Sequence, residues 1–158
     1  MKRIITLLVL ASLSISGIAS AEECTTKLYE GLVIEAKNAD ANRMWDGSEK
    51  LYRRMLDDCR GSMAEGDLAK LYDALAVALL MQQRYGEAID AAKSCLEQDS
   101  RYNACMMTAA SAYQSLGDQG MAAQMARDAI EVGSYDEYSA ATVIYAKEFL
   151  RRIEGRNK

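Results

Sequence analysis

Residues 69–102 and 103–136 write one pattern twice, at a spacing of 34 residues. The first stretch reads AKLYDALAVALLMQQRYGEAIDAAKSCLEQDSRY and the second NACMMTAASAYQSLGDQGMAAQMARDAIEVGSYD. Superposed, Leu79 falls on Tyr113, Gln83 on Gly117, Ala88 on Ala122, Ala92 on Ala126, Cys95 on Ala129 and Leu96 on Ile130. A period of this length specifies supersecondary units, each burying its apolar face against the next, rather than one closed core. Proline is absent from the whole chain. Helical apolar spacing runs between glycine and polar breaks, so each unit reads as a pair of helices and the fold class as all-α.

The N-terminus bears on the compartment. Lys2 and Arg3 precede an uncharged, largely apolar run from Ile4 to Ile18, and Ala19, Ser20 and Ala21 supply small residues. That order is the pattern of a secretory signal peptide over residues 1–21, with cleavage expected after Ala21. The run is short for a membrane-spanning helix, which needs roughly 20 apolar residues. Ser20, Ala21, Glu22 and Glu23 before Cys24 do not form a lipidation motif. The expectation is therefore export, to the periplasm of a Gram-negative bacterium or to the extracellular space. Cleavage would remove two cations and no acid, taking the net charge of −4 two units lower. An acidic chain of this kind is not suited to nucleic acid or an anionic membrane surface as partner. Lys147, Arg151, Arg152, Arg156 and Lys158 gather at the C-terminal end, where cations complement the helix dipole.

Seven helices are expected after the signal peptide. The first covers about Thr25 to Met44, and an Asp46-Gly47 turn with Asp46 and Glu49 at capping-box spacing opens the second, which ends near Asp58. Arg60 to Glu65 reads as a loop and Asp67 as the N-cap of the third helix, Leu68 to Gln83. The fourth runs from Gly86 to Gln98 and the fifth from Tyr102 to Leu116. Gly117-Asp118 turns the chain into the sixth, which ends near Gly133. Ser134 and Glu137 form a capping box for the seventh, ending near Ile153. Ala88, Ala92, Ala122, Ala126 and Ala129 stand where paired helices must approach closely.

On these residues the chain resembles tandem tetratricopeptide repeats. The resemblance is carried by Tyr72, Leu75, Ala76, Leu79, Tyr85, Ala88, Ala92 and Leu96 in one repeat. Ala109, Ala110, Tyr113, Gly117, Ala122, Ala126 and Ala129 carry it in the next. Sel1-like arrays share such alanine spacings, but their cysteines staple a repeat at shorter separation. The family's early aromatic is Met106 here, its glycine is Gln83, and its terminal proline is Ser100 or Ser134. The resemblance implies a right-handed superhelical stack of antiparallel helix pairs. It divides residues 22–158 into a degenerate repeat (22–68), two repeats (69–102 and 103–136) and a capping helix with tail (137–158). It also implies a concave groove, lined by the first helices of successive repeats, that holds a peptide or helix. Carried over position by position, the groove takes Asp73, Val77, Leu80 and Met81 from the third helix. Met107, Ser111, Gln114 and Ser115 come from the fifth, and Tyr138, Ala141 and Tyr145 from the seventh. The family's basic clamp for a C-terminal carboxylate is absent, since Asp73, Val77 and Thr108 stand at its positions.

Four cysteines in an exported chain suggest two disulfides, and the chain has no Cys-x-x-Cys. In a stack of the resembled kind, first helices begin and second helices end on one side. That geometry implies Cys24–Cys59 and Cys95–Cys105 among the three pairings. The chain contains no histidine, which removes the usual general base and the commonest metal ligand. No phosphate loop or calcium-loop spacing occurs. No enzyme activity, cofactor or metal is expected. The resulting expectation is an exported protein-interaction module, an adaptor or assembly factor for a cell-envelope complex. A holdase-type chaperone for exported subunits is the first rival, a cysteine-based redox protein the second. A bare repeat edge can also pair with itself, so self-association accompanies these readings.

Overall fold

The computed structural model describes residues 24–133 and 139–155. The signal-peptide reading of residues 1–21, the Ser134–Glu137 capping box, Tyr138 and the last basic residues, Arg156 and Lys158, lie outside these. The described chain is helical: α1 Thr26–Ala41, α2 Trp45–Cys59, α3 Glu65–Met81, α4 Tyr85–Gln98, α5 Asn103–Ser115, α6 Gln119–Gly133 and α7 Ala140–Gly155. A 3-10 turn at Arg60–Ser62 separates α2 from α3. Helices α1 and α2, α3 and α4, and α5 and α6 form antiparallel hairpins stacked in order, with α7 packed on α6. Among the described residues no helix is long and apolar enough to cross a membrane.

The alanines explain how closely the hairpins stack. Ala76, Ala88, Ala92, Ala110, Ala122, Ala126 and Ala129 have no exposed surface. Methyl groups at these crossings let neighbouring helices interlock where longer side chains would hold them apart. One core, built on Leu32, Met55, Leu71, Leu75, Leu79 and Ile89, joins the first two hairpins. A second, built on Met106, Met107, Phe149 and Ile153, joins the third hairpin to α7.

The turns inside the hairpins share a backbone form that the residue types conceal. Arg43, Gln83 and Gly117 all take positive φ, at 56°, 63° and 85°. Only glycine adopts that form without strain. The Asp46-Gly47 turn expected from sequence is therefore displaced: the chain turns at Asn42–Met44, and Asp46 lies in the first turn of α2. Asp67 is likewise not an N-cap. Helix α3 starts at Glu65, leaving Asp67 inside its first turn, where its charge still faces the positive helix end. Thr25 does cap α1, accepting from the Leu28 N–H at 3.2 Å, and Asp118 accepts from the Met121 N–H at 2.9 Å.

A polar cluster fastens the first turn to the second. Glu49 of α2 is 7% exposed and accepts from Arg53 (2.9 Å), Gln82 (2.9 Å) and Arg84. Burial pushes its carboxyl up, but donation by Gln82 and Arg53 and the Arg84 charge outweigh this and hold it below the usual carboxylate value. Gln83 sits between two members of this cluster in its left-handed form. Replacing it with glycine is expected to stabilise the fold by about 1 kcal/mol, since the strain disappears while the cluster is untouched. A urea midpoint that fails to rise in Gln83→Gly would show that the turn is not strained.

Candidate functional site

The first helices form one continuous face. Helix α3 packs directly against α5, and α5 against α7, whereas neither α2 with α4 nor α4 with α6 packs as extensively. The stack therefore closes toward its first helices, which line the inner side.

Along α3, Lys70, Ala74, Val77 and Met81 succeed one another at helical spacing on this side. Val77 is 36% exposed and Met81 50%. Leu80 is different: it is half-buried and packed against the main core, so an acidic substitution there would disturb folding as well as the face. Across from Ala74, α1 presents Tyr29, Val33 and Lys37. Together with Tyr52 and Met55 of α2, and Asp67, Lys70, Leu71 and Ala74 of α3, they enclose a pocket of about 240 Å³. Its lining is mostly apolar, with Lys37 and the Lys70–Asp67 pair as its charged members.

Helix α5 supplies a smoother stretch. Thr108 is 8% exposed and donates to Asp73 at 3.0 Å. Ser111 and Ser115 turn their hydroxyls back onto the carbonyls of Met107 and Ser111, each at 2.9 Å. These internal bonds leave a low surface of small side chains between the apolar groups of α3 and α7. Gln114 is half-buried beside it. Met107 is only 4% exposed and belongs to the second core, so it offers no surface to a partner. On α7, Ala141 is exposed and Tyr145 is 47% exposed, its ring centroid 6.2 Å from that of the buried Phe149.

Sequence reasoning missed the α1 side of the site, Tyr29, Val33 and Lys37. The 34-residue period does not reach the first repeat. Arg43 and Gln83, the equivalent turn residues, lie 40 positions apart. On that spacing Val33 corresponds to Asp73 and Lys37 to Val77. The extra residues are taken up by the 3-10 turn and the early start of α3. A search for the left-handed turn position, rather than for glycine, would have recovered the register.

A larger cavity of about 620 Å³ lies elsewhere, at the α4–α5 link, lined by Asp99, Arg101, Tyr102, Asn103, Ala104, Val132, Ser139 and Thr142. Both expected disulfides are formed on the link side: Cys24 with Cys59 and Cys95 with Cys105, their Cα atoms 4.9 and 6.4 Å apart.

No protein-family model matches this chain, and no curated protein does. Solved structures share its fold. PcrH of Pseudomonas aeruginosa, in complex with the chaperone-binding region of PopD, superposes with a TM-score of 0.76 at 16% identity, covering 85% of this chain and 97% of its own. SycD, the type III secretion translocator chaperone of Yersinia enterocolitica, gives 0.75 at 13% identity over 85% and 97%. The TPR2B domain of yeast Sti1, in a complex with a pHsp70, gives 0.71 at 17% identity over 81% and 97%. The chain thus has the fold of a helical repeat array with its first helices on an open inner face. That fold is the tetratricopeptide-repeat fold.

Proposed function

We propose that this protein is an exported, non-enzymatic chaperone or adaptor that holds a peptide segment of a partner protein on the inner face of its first helices. The observation that carries this reading is the run of exposed apolar groups, Val77, Met81 and Tyr145, beside the apolar pocket between α1 and α3. A partner that displaces water from such groups gains free energy, and an extended or helical segment suits groups placed one helical turn apart. The peptide complexes of PcrH and SycD support the same use of the fold. Export is supported by the pattern of residues 1–21 and by four paired cysteines, since disulfides persist in oxidising compartments.

The test is crosslinking capture from the native cell envelope, with the protein and its Val77→Asp/Met81→Asp variant as baits. Two acids on exposed positions should leave the helical circular dichroism unchanged and reduce partner capture by about tenfold or more. One dominant partner identifies an adaptor for its complex. A broad set of exported proteins identifies a holdase. Equal capture by both baits overturns the inner face as the binding surface.

A further inference from the structure

The inner face carries a carboxylate that the fold leaves half-satisfied. Asp73 lies between α3 and α5, with Oδ1 accepting the Thr108 hydroxyl at 3.0 Å. No lysine or arginine among the described residues forms an ion pair with it. The nearest candidate on its own helix, Lys70, bonds Asp67 at 3.1 Å instead. The phenol of Tyr102, which feels the Asp73 charge, is also close. Oδ2 has no donor among the described residues, yet it is not sealed off: Asp73 is only half-buried, and among the described residues the fully buried unpartnered side-chain atom is Asn103 Nδ2. Burial pushes the Asp73 carboxyl up, and the Thr108 hydrogen bond only partly offsets this.

A partly desolvated carboxylate gains from an arriving cation, which replaces lost hydration with a charge-assisted hydrogen bond. Val77 lies one turn further along the same helix and Met81 two, ready for apolar side chains. The net charge of −4 adds long-range attraction for a basic partner. Resting on the peptide-holding reading above, we propose that Asp73 is a specificity-determining residue. It selects a partner-protein segment in which a lysine or arginine is flanked by apolar residues.

The experiment uses the disulfide-bonded protein and three fluorescein-labelled 12-residue peptides, acetylated and amidated, sharing one leucine-rich frame with a central Lys, Gln or Glu. Fluorescence anisotropy is expected to show the Lys peptide bound about tenfold or more tighter than the Gln peptide, with the Glu peptide weakest. Asp73→Asn, nearly isosteric and still able to accept from Thr108, should remove that preference. Asp73→Glu, which keeps the charge, should retain it. Peptides that bind without charge preference, yet are lost in Val77→Asp/Met81→Asp, overturn the role of Asp73 and leave the peptide-holding face standing. A preference that survives Asp73→Asn overturns it equally. No binding of any peptide overturns both readings. Peptide binding that weakens as the protein is concentrated assigns the face to a second copy, and also overturns the proposal.

Discussion

Replacing Phe149 with alanine is expected to cost about 3–5 kcal/mol, the range for truncating a fully buried aromatic. Phe149 is 2% exposed and fills the space between α5, α6 and α7, against Met106, Met107, Ala110 and Ala126. The alanine methyls around it sit on rigid helices and cannot reach into the void, which Met106 and Met107 fill only in part. The cavity persists and its cost adds to the lost transfer energy. Helix α7 has no later helix over it among the described residues, so its docking depends on this single core. The apparent melting temperature should fall by about 10 °C or more. Amide exchange in α7 should accelerate more than in α3, as expected for a terminal unit of a repeat stack. Ile144→Ala on the same helix, at 70% exposure, should change stability by less than about 0.5 kcal/mol. If the two variants behave alike, α7 is not held by its Phe149 face. Because Tyr145 rides on the same helix, Phe149→Ala should also weaken partner capture.

The alanine pattern made the stacking legible because a methyl at a crossing has one evident use. Ala88 and Ala122, one period apart, are both fully buried. The turns were harder to read. Sequence signals such as Asp-Gly name the residues that favour a turn, but the chain turns where packing requires it, and Arg43 and Gln83 accept a left-handed backbone to do so. Asp46 and Asp67 were thereby drawn into first helical turns rather than caps.

The candidate site was legible on α3, where apolar residues continue around the helix beyond what one packed face needs. It was less so on α5 and α1. Met107 and Ser111 differ by one turn of register, and nothing in the letters says that the methionine turns into the second core while the serine stays at the surface. On α1 the repeat spacing changes, so Tyr29 and Val33 could not be aligned with their counterparts. The half-satisfied state of Asp73 is a property of two helices together, α3 and α5. Lys70 is taken by Asp67 three residues before it on α3, which spacing allows, but the reach of Thr108 from α5 does not follow from spacing along one helix.

Removing the Cys24–Cys59 bridge is expected to cost up to roughly 3.8 kcal/mol, and removing Cys95–Cys105 up to about 2.8, because the longer loop regains more freedom when unfolded. The sequence separations are 35 and 10 residues. Either amount is a large fraction of a small domain's stability. Cys95→Ala with Cys105→Ala is the cleaner of the two variants, since Ala129 occupies the position equivalent to Cys95 and is equally buried. The bridges also differ in access. Cys95 and Cys105 have no exposed surface, whereas Cys24 is half-buried at the start of the described chain. Thiol exchange needs an approaching thiolate, so mild reductant should open Cys24–Cys59 first. That bridge ties α1 to the end of α2, and α1 carries Tyr29, Val33 and Lys37 into the pocket against α3. Peptide binding should therefore weaken on mild reduction before the helical signal of α3 to α7 is lost. Urea denaturation with and without reductant measures the stability terms, and peptide anisotropy under the same conditions measures the coupling. An unchanged urea midpoint after complete reduction would remove the bridges from the stability of the fold. Loss of stability with unaltered peptide affinity would place the partner on α3 to α7 alone.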